Sequence, residues 1–282
     1  MIRICNYSLN YARMLGRGEM TIFDFLGLCR KLDIDGASLH VQNLPEIGTG
    51  YLKQLRRAYL DHGLSMGVFT VSTNFGQPED RQRREFEKAL EAIRVAMFLG
   101  APLLRVFAGS PPNEAERGQA FERAAAGVRR VCEEAAQMGL PVGLQNHNHG
   151  ALCRTGDEVI RFIKLVDHPN LTLLLDTGQW AGSRGASAKA PADLANADFM
   201  ESIRQTASLA RYVRVKFYNP APDGSEPWID YRKVFDILRG VHYQGFVDTV
   251  YEPGKGQGDP GEDIRTAMPR IVRFLRSRIQ SA

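Results

Sequence analysis

Short apolar runs rich in β-branched and aromatic residues alternate along the whole chain with longer segments of helical period, and this alternation restricts the fold more than any other feature. It calls for parallel strands joined by crossover helices, because parallel neighbours cannot be connected by a tight hairpin. Eight such pairs can be counted, with strands predicted near Ile2–Tyr7, Gly36–His40, Ser65–Val71, Pro102–Phe107, Pro141–Asn146, Leu171–Asp176, Tyr212–Phe217 and Phe246–Tyr251. Eight pairs without a break in composition favour a closed (βα)8 TIM barrel over an open doubly wound sheet, since closure leaves no strand edge unpaired. The 282 residues exceed an average domain, but α/β barrels reach this size as one unit, so a single domain over 1–282 is expected.

Phe86, Leu90, Ile93 and Met97 recur at helical spacing beside the polar Arg84, Glu87, Lys88 and Glu91, which predicts one buried stripe on a helix covering the sheet. Thr155-Gly156-Asp157-Glu158 has the form of a capping box, and Thr21 through Asp24 a weaker version of it. Three stretches lack periodic signal, Phe107–Asn113, Ala181–Pro191 and Pro253–Gly261. They follow strands four, six and eight, at the rim where barrels build their sites.

The four cysteines include no close-spaced pair and read as free thiols. No apolar run approaches the roughly 18 residues of a membrane span, and the N-terminus lacks the apolar core of a signal peptide, so a cytoplasmic protein without membrane partners is expected. A formal charge of +4 is small, and the densest basic runs fall on predicted helices alternating with apolar residues, which argues against a nucleic-acid partner.

Polar residues at strand C-terminal ends converge on one rim although they are far apart in sequence. They are His40, Arg105, Gln145, His147, Asp176, Gln179, Arg214, Lys216 and Glu252. His147 and His149, two apart after strand five, could hold a metal, act as acid and base, or simply bond within a turn. Asp176 closes an apolar run and could serve the site or cap the next helix. Arg214 and Lys216 lie one pleat apart on one strand face, where inward cations are costly unless a carboxylate or anionic ligand pairs with them. Arg105 raises the same question, and a salt bridge or a substrate contact is expected of it. The glycine-rich segment from Gly254 to Gly258 has no P-loop or dinucleotide fingerprint and reads as a phosphate site or a connector.

Asp35 through His40, Leu104-Arg105-Val106-Phe107, Leu144-Gln145-Asn146-His147, Leu174 through Gly178, Val213-Arg214-Val215-Lys216 and Gly245 through Glu252 together resemble the serial strand motifs of the xylose isomerase-like barrel superfamily of sugar phosphate isomerases and epimerases. That resemblance implies a divalent metal (Mn, Mg or Zn) held by Glu, Asp, His and Glu from strands five to eight. The sequence departs at three of these places. Gln145 stands for the first Glu, Arg214 for the His, and Val250 for the first Glu of a Glu-Tyr-Glu pattern whose second member is Glu252; Asp176 is retained. Ser38 and Gln179 are smaller departures. An amide is a weak ligand, valine is none, and a guanidinium stays protonated. At about 4 Å a dication would be repelled by Arg214 by roughly 8 kcal/mol at an effective dielectric near 20.

No cofactor is therefore predicted, and Arg214, paired with Asp176, is expected to stand where the metal would be. The resemblance implies an enzyme acting on a sugar, keto-sugar or polyol derivative by proton transfer next to a carbonyl. His147 or Glu252 would be acid and base, Arg214 and Lys216 the oxyanion contacts, Asp176 and Gln145 would orient hydroxyls, and Trp180 would offer an apolar floor or be buried under a helix. His40, Arg105 and Gln179 complete the expected substrate contacts. The alternative is a non-catalytic carbohydrate-binding barrel or partner subunit, and homo-oligomerisation is left open. An abasic-site endonuclease of related fold would need a richer His and carboxylate cluster than six histidines and one retained ligand provide.

Overall fold

The computed structural model describes residues 1–148, 151–184, 194, 196–253 and 262–280. Eight parallel strands run β1 (Arg3–Tyr7), β2 (Gly36–His40), β3 (Ser65–Thr70), β4 (Leu104–Val106), β5 (Val142–Gln145), β6 (Leu171–Asp176), β7 (Ala210–Phe217) and β8 (Phe246–Tyr251). Each pairs with its neighbour in chain order, and β1 closes on β8 through Arg3 opposite Phe246 to Asn6 opposite Thr249. After a short α1 (Ala12–Gly16), helices α2 (Ile22–Lys31), α3 (Thr49–Asp61), α4 (Glu79–Leu99), α5 (Arg117–Gln137), α6 (Gly156–Val166), α7 (Phe199–Thr206), α8 (Tyr231–Gly240) and α9 (Ile264–Gln280) follow the strands in turn.

Strand ends differ from expectation for local reasons. Pro102 and Pro141 cannot donate to a ladder, so β4 and β5 start after them. Asn146 leaves β5 because its side chain takes over the pairing, accepting from the Asp176 N–H at 2.7 Å and donating to the Asp176 carbonyl at 2.9 Å.

The face that α4 buries also differs. Ala89, Ala92, Ile93, Val95, Ala96 and Leu99 are buried, whereas Phe86, Leu90 and Met97 are only partly covered. Alanines let the helix lie close to the sheet, and the larger side chains fill its flanks. Of the two caps, Thr21 with Asp24 forms the full box. Thr155 accepts from the Glu158 N–H, while the Glu158 carboxylate accepts from the backbone N–H and guanidinium of Arg154.

Inside the barrel, Cys5, Val68, Leu103, Leu174, Tyr212 and Phe246 form an apolar plug toward the N-terminal ends of the strands. The register between β2 and β3 shifts around Ser38, leaving Gly67 and Val68 opposite that one residue. Glycine is required there, since a Cβ at Gly67 would lie 2.4 Å from Ser38 Oγ and 2.8 Å from Tyr212 Oη. All four cysteines are buried free thiols. No helix among the described residues is long and apolar enough to cross a membrane.

Candidate active site

Because side chains alternate along a strand, Arg214 and Lys216 point into the barrel together with Asp176 at the end of β6 and Asp248 on β8. Both cations are buried, and each has a carboxylate. Lys216 Nζ lies 3.1 Å from Glu252 Oε1 and 3.4 Å from Asp176 Oδ2, and so bridges the two. Its stem runs close over Gly178, where a Cβ would come within 2.6 Å of Lys216 Cγ. Burial opposes its charge, but Asp176 and Glu252 together outweigh that and hold the ammonium pKa above its usual value. Asp176 is raised by burial, an effect that Lys216 and Arg214 only partly reverse, and Gly178 N–H donates to its Oδ1 at 3.0 Å.

Arg214 sits one layer deeper. Its Nε is 3.4 Å from Asp248 Oδ2, its Nη1 donates to Gln145 Oε1 at 2.9 Å, and its guanidinium carbon lies 3.9 Å from the centre of the Tyr7 ring. The expected ion pair between Arg214 and Asp176 is thus corrected. Asp176 and Asp248 both lie opposite Arg214 in strand register, but Asp176 is taken by Lys216 and by Gln145, whose Nε2 donates to Asp176 Oδ2 at 3.0 Å, which leaves Asp248 as the partner.

Arg105 forms no ion pair with any carboxylate among the described residues. It donates to the Val71 carbonyl at 2.9 Å and to Tyr7 Oη at 3.1 Å, and its guanidinium is covered by the Phe107 ring at 4.1 Å. Burial lowers its pKa to about 10, which still leaves it charged at neutral pH. Tyr7 Oη in turn lies 2.7 Å from Thr70 Oγ1, which donates to the Leu39 carbonyl. His40 accepts the Gln42 N–H at Nδ1 and places Nε2 3.1 Å from Ser72 Oγ. Burial, then Arg105 and Arg214, push its pKa to about 2, so the ring stays neutral.

His147 stands on the opposite side of the rim, half-buried, its ring edge-on to Phe107 at 4.9 Å. It lines a pocket of about 170 Å3 with Thr73, Asn74, Ser110 and Gln145. Gln145 is therefore shared between this pocket and the charged cluster. Trp180 is fully buried in the hydrophobic core and offers no floor to the mouth; Gln179 is buried beside it, its carbonyl accepting from Asn146 Nδ2. His149 and the segment 254–258 lie outside the described residues.

Tyr7 and Asp248 are the two contributors that the sequence analysis missed. Period-two alternation back from Glu252 places Asp248 inside the barrel, in mid-strand below the rim. Tyr7, ending an apolar run, carries no comparable signal.

The ion implied by the superfamily resemblance does not fit the residues at its four positions. They provide one carboxylate, an amide whose oxygen already accepts from a guanidinium, that guanidinium, and a valine. Among the described residues no group of three or more His, Cys, Asp or Glu side chains is placed to hold a metal.

Asp248 has a measurable consequence. Burial raises its pKa to about 6 against the pull of Arg214. A carboxyl whose folded pKa is raised contributes stability that is full below its unfolded value and is lost as pH rises through the folded one. Wild-type stability is therefore expected to fall between about pH 4 and pH 6 relative to Asp248→Asn. Denaturant melts of both proteins across that range would check it, and parallel curves would remove the assignment.

A closed parallel barrel with its polar residues gathered at the C-terminal mouth defines the class. The chain belongs to the xylose isomerase-like TIM barrel family, which matches residues 26–277. Among solved structures it is similar to D-psicose 3-epimerase with D-tagatose from Clostridium cellulolyticum, with 17% identity, a TM-score of 0.75, and coverage of 99% of this chain and 97% of that one. L-ribulose 3-epimerase is 18% identical with a TM-score of 0.76, covering 100% of this chain and 95% of that one. The 3-keto-D-glucoside 4-epimerase from E. coli is 16% identical with a TM-score of 0.74, covering 98% of this chain and 100% of that one. At such identities the likeness speaks for the fold. No curated protein matches the chain.

Proposed function

We propose that the protein is a sugar isomerase or epimerase-like enzyme that moves a proton at the carbon next to the carbonyl of a keto-sugar or related polyol derivative. One observation carries this reading. At the mouth, the partly exposed carboxylate of Glu252 lies against the buried ammonium of Lys216, which is tied behind to Asp176. The ammonium fixes the position of the Glu252 carboxylate, the group that would accept the proton. When the C–H bond breaks, its electron pair passes into the enolate, and Lys216 stands ready to stabilise the developing oxyanion. Return of the proton to the same carbon from the other face gives an epimer; return to the neighbouring carbon gives an isomer.

His147, across the rim in a pocket with an aromatic wall and neutral hydrogen-bonding groups, is the second acid–base candidate and suits the uncharged body of a sugar. Gln145 spends its carbonyl oxygen and one amide hydrogen on neighbours, so its part is to hold Asp176 and Arg214 in place. The sugar epimerases named above share this fold, which supports the substrate class.

The test is incubation with a panel of ketopentoses and ketohexoses in D2O. Deuterium is expected at the carbon beside the carbonyl of at least one sugar, together with a new epimer or aldose. Thermal stabilisation by a sugar without exchange or product on any of them would replace this reading with a carbohydrate-binding barrel.

A further inference from the structure

We infer that Arg214, Gln145 and Asp248 act as one fixed-charge unit occupying the position beside Asp176 where a barrel of this family would carry a divalent ion. The inference rests on the family reading of the site but not on the choice of substrate. Two carboxylates on adjacent strands, as a Glu at 145 beside Asp176 would be, need a cation between them. An amide does not. Gln145 gives its Nε2–H to Asp176 Oδ2 at 3.0 Å and receives Arg214 Nη1–H on its Oε1 at 2.9 Å, so its two ends suit an anion on one side and a cation on the other.

A guanidinium this deep in turn needs a counter-charge of its own. Asp248 supplies it from the directly opposed position on β8, two residues before the donorless Val250, and the Tyr7 ring covers the guanidinium face. Amide, guanidinium and lower carboxylate thus require one another. With Arg214 present an incoming dication meets a permanent positive charge. Without it, Asp176 and Asp248 lose a neutralising neighbour and become attractive to one.

Manganese binding separates this from the alternatives without any substrate, so its failure would leave the proton-transfer reading untouched, and failure of the sugar panel would leave this one untouched. Dialysed wild-type protein is expected to hold no stoichiometric Mn2+. The variant Gln145→Glu/Arg214→His/Val250→Glu, which rebuilds a Glu, Asp, His and Glu set, is expected to hold about one ion per chain and to melt at a higher temperature when Mn2+ is added. If that variant does not fold, Arg214→His alone is expected to bind Mn2+ at least about tenfold more tightly than wild type, because a neutral imidazole replaces the guanidinium. A wild-type ion at one per chain that is lost in Asp176→Asn overturns the inference. So does a folded triple variant, or failing it Arg214→His, that binds Mn2+ no better than wild type.

Discussion

Glu252→Gln is expected to lower turnover on a verified keto-sugar by about 100- to 10,000-fold, the usual worth of a positioned general base, while changing KM only a few-fold. The glutamine keeps the shape and can still accept a hydrogen bond from Lys216, but it cannot take a proton. The fall should therefore be in kcat, and deuterium exchange from solvent into substrate should be lost in parallel. Full turnover in Glu252→Gln would move the base to His147, whose replacement by Ala would then have to abolish exchange.

Lys216→Met is expected to cost about 3–5 kcal/mol of stability, the penalty for leaving buried charge without its partner, with a drop in Tm on the order of 10 °C. Methionine fills much of the stem's volume over Gly178, so the loss is mainly electrostatic: Asp176, fully buried, and Glu252, partly so, are left facing each other. The deficit should narrow in acid. Asp176 already has a raised pKa from burial, and removing the ammonium raises it further. Protonation then relieves the folded state, so stability relative to wild type rises as pH falls through the raised value. Thermal melts of both proteins from neutral pH to pH 4 would read this, and a deficit that does not vary with pH would show that packing accounts for it.

How much of this was legible beforehand differs between fold and site. The eight strands were readable because each is a short apolar run bounded by turn residues, and the differences at the ends of β1, β3, β4, β5 and β7 are of a residue or two, with prolines and the side chain of Asn146 deciding those at β4 and β5. The inward direction of Arg214 and Lys216 was open from sequence and is settled by the carboxylates around them. Strand register puts both Asp176 and Asp248 opposite Arg214, and Asp248 is its partner because Lys216 and Gln145 occupy the Asp176 carboxylate. Of the two contacts expected of Arg105, the salt bridge is not formed among the described residues. A carbonyl, a phenol and an aromatic face surround the guanidinium instead. Trp180 carried no positional signal, and only packing shows that it belongs to the core.

The order of strands and helices and the closed parallel barrel were determined by the sequence alone, since hydrophobic period, turn chemistry and strand alternation are local properties of the chain. Which charge answers which was decided only in three dimensions. An ion pair depends on separations of a few ångströms between residues dozens of positions apart, and those separations are set by inter-strand register and by burial, neither of which any single segment encodes.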